Sequence, residues 1–358
     1  MLDKICIIGP SIHMGGMQRA VVTLANSWAN DGKKVDLILL FKLHHFFELN
    51  PSIKLAEPPE ISNSYSKIRR LLFLIKYIKT RVKASQCASV LVFGRYYSAL
   101  AVFALRNSNV KVIISDRASP LYRDNLFAHL ITKFVFYFYK PDGVIAQTKI
   151  AAAFQQKFYG ASVPIEVIPN ALRPVRLYPE IKREKIILAV GRLGDALKGF
   201  DRLIDAFSRM KTSEWVLAIA GGDENGQYLK DQAKRLGILS RIQFLGQVKN
   251  IDLVYARAGI FVIPSRSEGF PNALCEAMAA GLPCISFDFV AGPADLIQNG
   301  LNGILVKDGD IDGLALSIEN LINHPQLRSD IGNQAMKIRD HLHSDKIISS
   351  ITNFILHV

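Results

Sequence analysis

Cysteine is scarce in this sequence and shows no pairing pattern. No C-x-x-C spacing occurs, and each cysteine stands in an apolar or helical context. This distribution indicates neither a disulfide framework nor a zinc site, and no histidine has metal-ligand spacing with another. We therefore expect buried thiols in a reducing compartment. The four cysteines are Cys6, Cys87, Cys275 and Cys284.

Long apolar runs are missing as well. The longest, residues 71–75 and 134–139, are far shorter than the ~20 residues that cross a bilayer. The first candidate strand begins almost at once, which leaves no room for the charged and apolar regions of a secretory signal peptide. We therefore expect a cytoplasmic protein.

Acidic residues are absent from much of the first half. No Asp or Glu occurs between Glu60 and Asp116, whereas ten Lys and Arg residues do. Residues 1–175 hold 23 Lys/Arg against 10 Asp/Glu, and residues 176–358 hold 21 of each, so the first half carries the whole net charge of +13. Such a block attracts a polyanion.

The segment 66–83 concentrates this charge. Apolar residues recur at helical spacing from Ile68 to Val82, which predicts an amphipathic helix, although Lys79 falls within the apolar stripe. We interpret the segment as a helix that rests on an anionic membrane surface; the alternative is a helix packed on its own domain with solvated cations. No groove-reading motif or stacking platform indicates nucleic acid. The seven cations are Lys67, Arg69, Arg70, Lys76, Lys79, Arg81 and Lys83.

Apolar runs alternate with helical patterns along the chain, which predicts α/β architecture with parallel sheets. With 358 residues, 49% of them hydrophobic, we predict two doubly wound Rossmann-like domains, residues 1–173 and 174–343. A Pro- and charge-rich linker separates them, and ligands should bind in the cleft between them. The candidate strands are residues 5–8, 35–40, 90–93, 112–115, 144–146 and 166–168, then 186–190, 216–220, 242–245, 260–263, 284–287 and 304–306.

The segment 267–283, SEGFPNALCEAMAAGLP, combines two carboxylates with a turn. It follows a candidate strand, and Asn272 is placed to cap the next helix, whose N-terminus favours an anion. Glu268 would lie in the turn and Glu276 in the first turn of the helix. We interpret the segment as a nucleotide-sugar pocket. The alternative is that Glu276 only complements the helix dipole and Glu268 is a solvated loop residue.

This segment resembles the donor-site signature of the family 4 retaining glycosyltransferases, two-domain enzymes of the GT-B type. The resemblance points to enzymes of bacterial lipopolysaccharide, O-antigen and lipid-linked oligosaccharide synthesis. It continues less specifically into the first half, through residues 9–10 and 15–19. Several ordered motifs are far more specific than one short motif. The further motifs are residues 190–193, 198–207, 220–223, 292–297 and 300–306.

The resemblance implies a role for each motif residue. Arg192 and Lys198 would neutralise the diphosphate, Glu268 would bind a donor-sugar hydroxyl, and Glu276 would bind the ribose. Family members retain the anomeric configuration, usually by front-side displacement with the leaving phosphate as base; Glu268 is the alternative nucleophile. In relatives the last helix, here residues 344–358, packs back on the first domain. The other donor-binding candidates are Gly15, Gly16, Gly191, Val248, Gly269, Phe270, Pro271 and Asn272.

The acceptor side departs from the family pattern. Some relatives carry a histidine after the fourth strand, where this sequence has Asp116 and Arg117. Two interpretations stay open: these residues act near the acceptor or donor phosphate, or they form a mutual ion pair that holds the loop. His13, just before Gly15 and Gly16, is a candidate for lining the cleft.

A D-x-D pattern, which metal-dependent sugar transferases use, occurs at Asp308-Gly309-Asp310 but outside the donor motifs. We interpret it as a turn and helix cap, and predict no metal and no cofactor.

The predicted function is transfer of a hexose or N-acetylhexosamine from a nucleotide diphosphate sugar, with UDP favoured, to a lipid-linked saccharide acceptor. This reaction would serve bacterial surface polysaccharide synthesis, with the enzyme held peripherally at the inner membrane face. The alternatives are a transferase with a soluble acceptor and a non-catalytic nucleotide-sugar-binding protein.

Overall fold

The chain divides into two units, and its C-terminal helix belongs to the first. The computed structural model describes residues 4–358 apart from 14, 60–65, 118, 120, 122–124, 212–213, 223–225 and 291. One unit comprises Met1–Ala171 with Asp345–Val358, and the other comprises Leu172–Ser344. All four cysteines are buried thiols, as predicted. Across the described part of the chain, none of the helices has the length and apolar content of a membrane span.

A parallel sheet of seven strands forms the centre of the first unit, in the order β3-β2-β1-β4-β5-β6-β7. Helices cover both faces, so the strands are nearly continuous runs of Val, Ile and Leu. The prediction of six strands missed β3, an edge strand that pairs with β2. The strands are β1 (Lys4–Gly9), β2 (Lys34–Leu39), β3 (Lys54–Ala56), β4 (Ser89–Phe93), β5 (Lys111–Ser115), β6 (Gly143–Ala146) and β7 (Ile165–Val167).

The helices of the first unit form two layers. Buried residues of the second to fifth helices share one core with the sheet, and those of the first and last helices share another. Trp28 Nε1 donates a hydrogen bond to Thr352 Oγ1 at 2.9 Å, which fastens the C-terminal helix to this unit. The helices are α1 (Gly16–Asn30), α2 (Lys67–Ser85), α3 (Arg95–Leu105), α4 (Leu126–Phe138), α5 (Lys149–Tyr159) and, at the C-terminus, α13 (Ser344–His357).

A second parallel sheet, of six strands, forms the centre of the other unit in the order β10-β9-β8-β11-β12-β13. Each strand lies within one residue of its predicted bounds. The strand order reverses direction between β8 and β11, which makes their carboxyl ends the switch point of this sheet. The strands are β8 (Ile186–Val190), β9 (Val216–Ala220), β10 (Ile242–Gly246), β11 (Ile260–Ile263), β12 (Cys284–Asp288) and β13 (Ile304–Lys307).

The helices of the second unit include a cap that was predicted. Asp310 Oδ1 accepts a hydrogen bond from the Gly313 N–H at 2.9 Å, and Asp308 Oδ1 accepts one from Arg202 Nη1 at 2.7 Å. The D-x-D pattern is therefore a turn and helix cap. The helices are α6 (Phe200–Arg209), α7 (Gln227–Arg235), α8 (Ile251–Arg257), α9 (Asn272–Ala279), α10 (Ile311–Asn323), α11 (Pro325–Ala335) and α12 (Ile338–His341).

The two sheets confirm the predicted fold class of two doubly wound, Rossmann-like α/β domains. The boundaries of the units follow Ala171 and Ser344, close to the predicted boundaries at residues 173 and 343. The predicted cleft stays a prediction.

Candidate functional site

An ion pair joins the loops that follow β8 and β11. These strands are neighbours in the sheet, so their carboxyl ends meet at one edge. Lys198 Nζ donates to both carboxylate oxygens of Glu268, at 2.8 and 2.9 Å, and Ser265 Oγ donates to Glu268 Oε1 at 2.7 Å. The side chains of Lys198 and Glu268 are only 22% and 13% exposed. Glu268 is therefore a paired carboxylate and not a solvated loop residue.

A close backbone approach brings these two loops together. A Cβ at Gly199 would lie 2.0 Å from the Pro264 carbonyl oxygen, and Gly199 has a φ of +67°, so glycine is required there. The Arg266 N–H donates to the Leu197 carbonyl at 2.8 Å. The Arg266 guanidinium also donates hydrogen bonds to both carboxylate oxygens of Asp201, at 2.7 and 2.5 Å. Burial raises the pKa of Asp201, but the Arg266 hydrogen bonds outweigh it, so the pKa is lowered.

Arg192 is exposed and has a different partner. Its side chain is 81% exposed and contacts Asp195 at 2.9 Å. Asp195 also accepts a hydrogen bond from the Leu197 N–H at 3.1 Å, which caps the short turn before Lys198. A Cβ at Gly191 would lie 3.1 Å from Lys198 Cδ, so Gly191 leaves room for the lysine stem. The structure therefore brings Gly191 to Lys198, and the Arg192 side chain pairs with Asp195.

The start of α9 corrects two predictions. The helix begins at Asn272, with Pro271 in the N-cap position and no side-chain cap hydrogen bond, so Asn272 is not the cap. Proline donates no N–H, and the first N–H groups of a helix have no partner within it, so proline is tolerated at a helix start. Glu276 consequently lies in the second turn of α9, not in the first.

Glu276 belongs to a second ion-pair network. Its Oε2 accepts hydrogen bonds from Arg173 Nη2 at 2.9 Å and from the Tyr255 hydroxyl at 3.3 Å. The same Arg173 nitrogen donates to Asp252 Oδ1 at 2.5 Å. The Arg176 N–H donates to Asp252 Oδ2 at 3.0 Å, so the linker is fastened to α8 and α9 together. Glu276 therefore does more than complement a helix dipole.

The pKa shifts of Arg173 and Asp252 favour the charged form of each group. Burial lowers the pKa of Arg173, but its hydrogen bonds to Asp252 and Glu276 outweigh burial and raise it. Burial raises the pKa of Asp252, but the Arg173 hydrogen bond and the other favourable contacts outweigh burial. The net shift of the Asp252 pKa is downward. Burial and the nearby Glu276 charge raise the pKa of Tyr255 well above its ordinary value. Tyr255 therefore remains a neutral hydrogen-bond donor at physiological pH.

The remaining donor candidates of the second unit lie in the loops that follow its strands or at the start of α9. Phe270 is buried, and its carbonyl accepts the Asn272 N–H at 2.9 Å. A Cβ at Gly292 would lie 3.1 Å from Pro271 Cδ, so the loop after β12 lies against the turn that contains Gly269. Val248 follows β10 and packs at the margin of the core. Of the motif 220–223, Asp223 lies outside the described residues.

The glycine candidates of the first unit lie at the start of α1. Gly15 is the N-cap residue, and Gly16 is the first residue of the helix. His13 is exposed, and its Nδ1 lies 3.3 Å from the His44 carbonyl oxygen. These residues follow the carboxyl end of β1, where the strand order of the first sheet reverses direction.

Asp116 is buried at the end of β5. Its Oδ2 accepts hydrogen bonds from Arg95 Nε at 2.8 Å and from the Tyr159 hydroxyl at 3.3 Å. Burial, reinforced by the Asp116 charge, raises the pKa of Tyr159 well above its ordinary value. The ion pair that fixes Asp116 thus joins β5 to α3.

Arg117 points to different partners. Its Nε donates to Ser115 Oγ at 3.0 Å, its Nη1 donates to Asn170 Oδ1, and its guanidinium lies 5.0 Å from the centre of the Phe93 ring. Burial lowers the pKa of Arg117 to about 10. Arg117 is therefore a cation held at the carboxyl edge of the first sheet.

The basic helix α2 presents its cations to solvent. Ser66 caps it, and Leu74, Ile78 and Val82 face the core. Lys79, which the helical spacing places within the apolar stripe, is exposed, and Tyr77 is among the buried residues of the helix. Six of the seven cations are exposed and Arg70 is half-buried.

Three ion-pair residues of the second unit were not predicted. Arg173, Asp252 and Arg266 make contacts that span 65 to 103 positions of sequence. No local spacing indicates such contacts. The sequence offered one indication: each is a charged residue that lies in the linker or beside a donor motif.

Two family models match the chain. Glycosyltransferase Family 4 matches residues 14–176, and Glycosyl transferases group 1 matches residues 178–338. The chain is 27% identical over 337 residues to an uncharacterized glycosyltransferase of Haemophilus influenzae, covering 93% of this chain and 94% of that protein.

The chain is also similar to an enzyme that is named for its substrate and to a protein whose crystal structure contains UDP. It is 24% identical over 343 residues, 93% of this chain and 92% of the other, to the GalNAc-alpha-(1->4)-GalNAc-alpha-(1->3)-diNAcBac-PP-undecaprenol alpha-1,4-N-acetyl-D-galactosaminyltransferase of Campylobacter jejuni. The crystal structure of Anabaena HepE in complex with UDP matches with a TM-score of 0.80 at 17% identity, covering 99% of this chain and 100% of the other. At 17% identity, the likeness to the Anabaena structure shows a shared fold only.

We predict that Arg173→Met lowers the free energy of unfolding by about 2 kcal/mol at pH 7, because it leaves two partly buried carboxylates without their cation. The lowered pKa of Asp252 means that its stabilisation is present above its unfolded pKa of about 3.9 and is lost as pH falls through the folded value. The deficit should therefore shrink in acid. Urea unfolding from pH 7 to 3 measures it.

The matched control is Arg176→Met, which removes an exposed guanidinium from the same linker. If both variants lose the same free energy of unfolding, or if the loss does not depend on pH, the stabilising role of the Arg173 ion-pair network would be contradicted.

Proposed function

The chain belongs to the family 4-like glycosyltransferases of the GT-B type, and from that premise we propose a retaining, metal-independent transferase that uses a nucleotide diphosphate sugar. The transferred group is a hexose or N-acetylhexosamine, UDP is the favoured nucleotide, and the acceptor is a lipid-linked saccharide. The observation that carries the proposal is the Lys198–Glu268 ion pair beside the Gly-Phe-Pro turn. The UDP complex of the Anabaena protein and the undecaprenol-linked substrate of the Campylobacter enzyme support the donor and acceptor classes.

Lys198 and Arg192 neutralise the departing diphosphate in this proposal. Charge that develops on a leaving group is stabilised best by cations that are already in position. Two carboxylate contacts hold the Lys198 ammonium in position. Arg192 rests in an exposed pair with Asp195, and such pairs contribute little, so the guanidinium can exchange Asp195 for a phosphate at low cost.

The two glutamates bind hydroxyl groups of the donor. Glu276, oriented by Arg173 and Tyr255, accepts from the ribose, and Glu268 accepts from the sugar. In a front-side displacement the acceptor oxygen bonds to the anomeric carbon as the bond to phosphate breaks, and the acceptor proton passes to a phosphate oxygen. Lys198 and Ser265 hold Glu268 as a hydrogen-bond acceptor, which favours this role over that of a nucleophile. In the first unit we assign Asp116, Arg117 and His13 to the acceptor side.

The basic helix α2 holds the enzyme at the inner, anionic face of the membrane. Exposed cations are attracted to acidic lipid by about 1 kcal/mol each, so the seven supply at most ~7 kcal/mol. This is enough to recruit a protein to the surface where a lipid-linked acceptor resides.

The first prediction of this proposal is that Lys198→Ala and Arg192→Ala each lower kcat at least a hundredfold, since one charge-stabilising donor contributes roughly 3 kcal/mol to the transition state. Release of UDP from UDP-sugars, with and without acceptor, measures the effect. Lys234→Ala, an exposed cation on α7, is the matched control. If a folded double variant has a kcat within a few fold of the wild-type value, these roles are ruled out.

The same assay tests the alternative function. If the wild-type protein binds UDP-sugars but never turns them over, it is a sensor.

The second prediction is that a chelator leaves the transfer rate unchanged. Asp308 and Asp310 are occupied by Arg202 and by the start of α10, so the D-x-D pattern does not offer a free pair of carboxylates. Rates measured in EDTA, and again after addition of manganese or magnesium, test this. Loss of activity in chelator that either ion restores would contradict metal independence.

The third prediction is that replacing Arg69, Arg70, Lys76 and Lys83 by glutamine abolishes cosedimentation with acidic liposomes while donor hydrolysis continues. Binding of the wild type should weaken as salt rises, because screening acts over about 8 Å at physiological ionic strength. The control is the glutamine replacement of four exposed cations of the second unit, Lys182, Lys211, Lys234 and Arg235. Equal binding of the two variants would show that the charge of α2 is only solvated.

A further inference from the structure

Helix α4 carries an exposed apolar face. Along its 13 residues, five large apolar side chains are between 57% and 77% exposed. They recur at spacings of three and four residues, which places them on one side of the helix. Phe134 contacts Phe138 with ring centres 5.1 Å apart, and Tyr137 contacts Phe138 at 4.9 Å. The residues of this face are Leu126, Leu130, Phe134, Tyr137 and Phe138.

The other side of α4 already has its partners. Ala128, Thr132, Val135 and Phe136 are buried, and Phe136 packs edge-on against the ring of Tyr159, with centres 4.9 Å apart. The exposed face is therefore not needed for the core of the first unit. Monomeric proteins rarely expose a contiguous apolar patch of this kind without an occupant.

Cations border the apolar face. Lys133 lies on α4 itself, one position before Phe134, and is exposed. At the end of the helix, Arg106 lies over the rings of Phe103 and Tyr139, at 4.1 and 5.9 Å from their centres. From Asn125 to Lys140 the sequence contains no acidic residue.

The basic helix α2 belongs to the same layer. Both α2 and α4 contact α3, and all three cover the same face of the first sheet. On α2 the exposed cations are accompanied by Ile68 and Leu72, which are 63% and 61% exposed. One surface of the unit thus combines exposed aromatic and aliphatic side chains with cations and few acids.

We propose that the face of α4 formed by Leu126, Leu130, Phe134, Tyr137 and Phe138 inserts into the interface of an anionic phospholipid bilayer. The inference rests on the proposed work at a membrane and adds how the protein is held there. Charge alone would suit any polyanion; an apolar aromatic face bordered by cations suits the boundary between acidic headgroups and acyl chains. Electrostatic attraction through α2 brings the protein to the surface, and α4 penetrates it.

Tryptophan fluorescence tests the insertion directly. The two native tryptophans, Trp28 and Trp215, are buried at 0% and 5% exposure, so we expect vesicles to leave their emission unchanged. A change in a variant relative to the wild type therefore reports on the added tryptophan. We expect the emission of the Phe134→Trp variant to shift to shorter wavelength with vesicles of equal phosphatidylglycerol and phosphatidylcholine, and to be quenched by brominated acyl chains. Leu316→Trp, at an exposed site of α10, should show neither change. Absence of quenching in the Phe134→Trp variant bound to vesicles overturns the proposal.

Vesicle affinities of serine variants distinguish insertion of the α4 face from electrostatic attraction alone. The variant Leu130→Ser/Phe134→Ser/Phe138→Ser should bind the same vesicles about a hundredfold more weakly, because three apolar side chains no longer leave water. Leu236→Ser/Leu239→Ser/Leu316→Ser, on exposed sites of the second unit, should bind as the wild type does. Binding of the first variant equal to that of the second overturns the proposal. So does a stable dimer without lipid that the first variant disrupts, since the face would then bind a second copy.

The outcome does not depend on catalysis. Release of UDP without vesicles should be the same for the triple-serine variant and the wild type. If the wild type inserts into vesicles but turns over no nucleotide sugar, the proposed function fails and the insertion stands. If it turns over donor while the Phe134→Trp variant is not quenched, the insertion alone fails.

Discussion

The ion pair between Lys198 and Glu268 is the interaction on which the candidate donor site depends. Its partners are 70 positions apart and meet only because β8 and β11 are adjacent parallel strands at the switch point of their sheet. The meeting requires a glycine at 199, since any side chain there would collide with the Pro264 carbonyl. An ammonium and a carboxylate thus stand side by side at the edge where an α/β sheet binds its ligands. One is suited to phosphate and the other to hydroxyls.

A second constraint ties the donor helix to the chain between the units. Arg173 holds both Asp252 and Glu276, so the linker residue, α8 and α9 share one guanidinium. The orientation of Glu276 consequently depends on the linker as well as on its own helix. Tyr255, which remains neutral, supplies a further hydrogen bond to the same carboxylate. A glutamate held in this way has its carboxylate in a fixed direction, and a fixed geometry needs less reordering when a ligand binds.

The sequence predicted those parts of the structure that depend on local pattern. Strands covered on both faces appear as continuous apolar runs, so twelve of thirteen were found; β3, three residues long and at an edge, lacks such a run. Glu268 and Lys198 were named as candidates because their motifs are ordered along the chain, but their ion pair was not predicted. The helix register at Glu276 was wrong because Pro271, and not Asn272, occupies the N-cap. Arg173, Arg266 and the exposed face of α4 depend on which elements become neighbours, and no local spacing encodes that.

The most direct test of the account is a crystal structure of the protein with an uncleavable UDP-sugar analogue. The account predicts that Lys198 Nζ donates to an oxygen of the diphosphate while it stays paired with Glu268. It also predicts that Glu268 accepts a hydrogen bond from a sugar hydroxyl, and that Glu276 accepts from the ribose while still bound to Arg173. A diphosphate bound elsewhere, without a contact to Lys198, would contradict it.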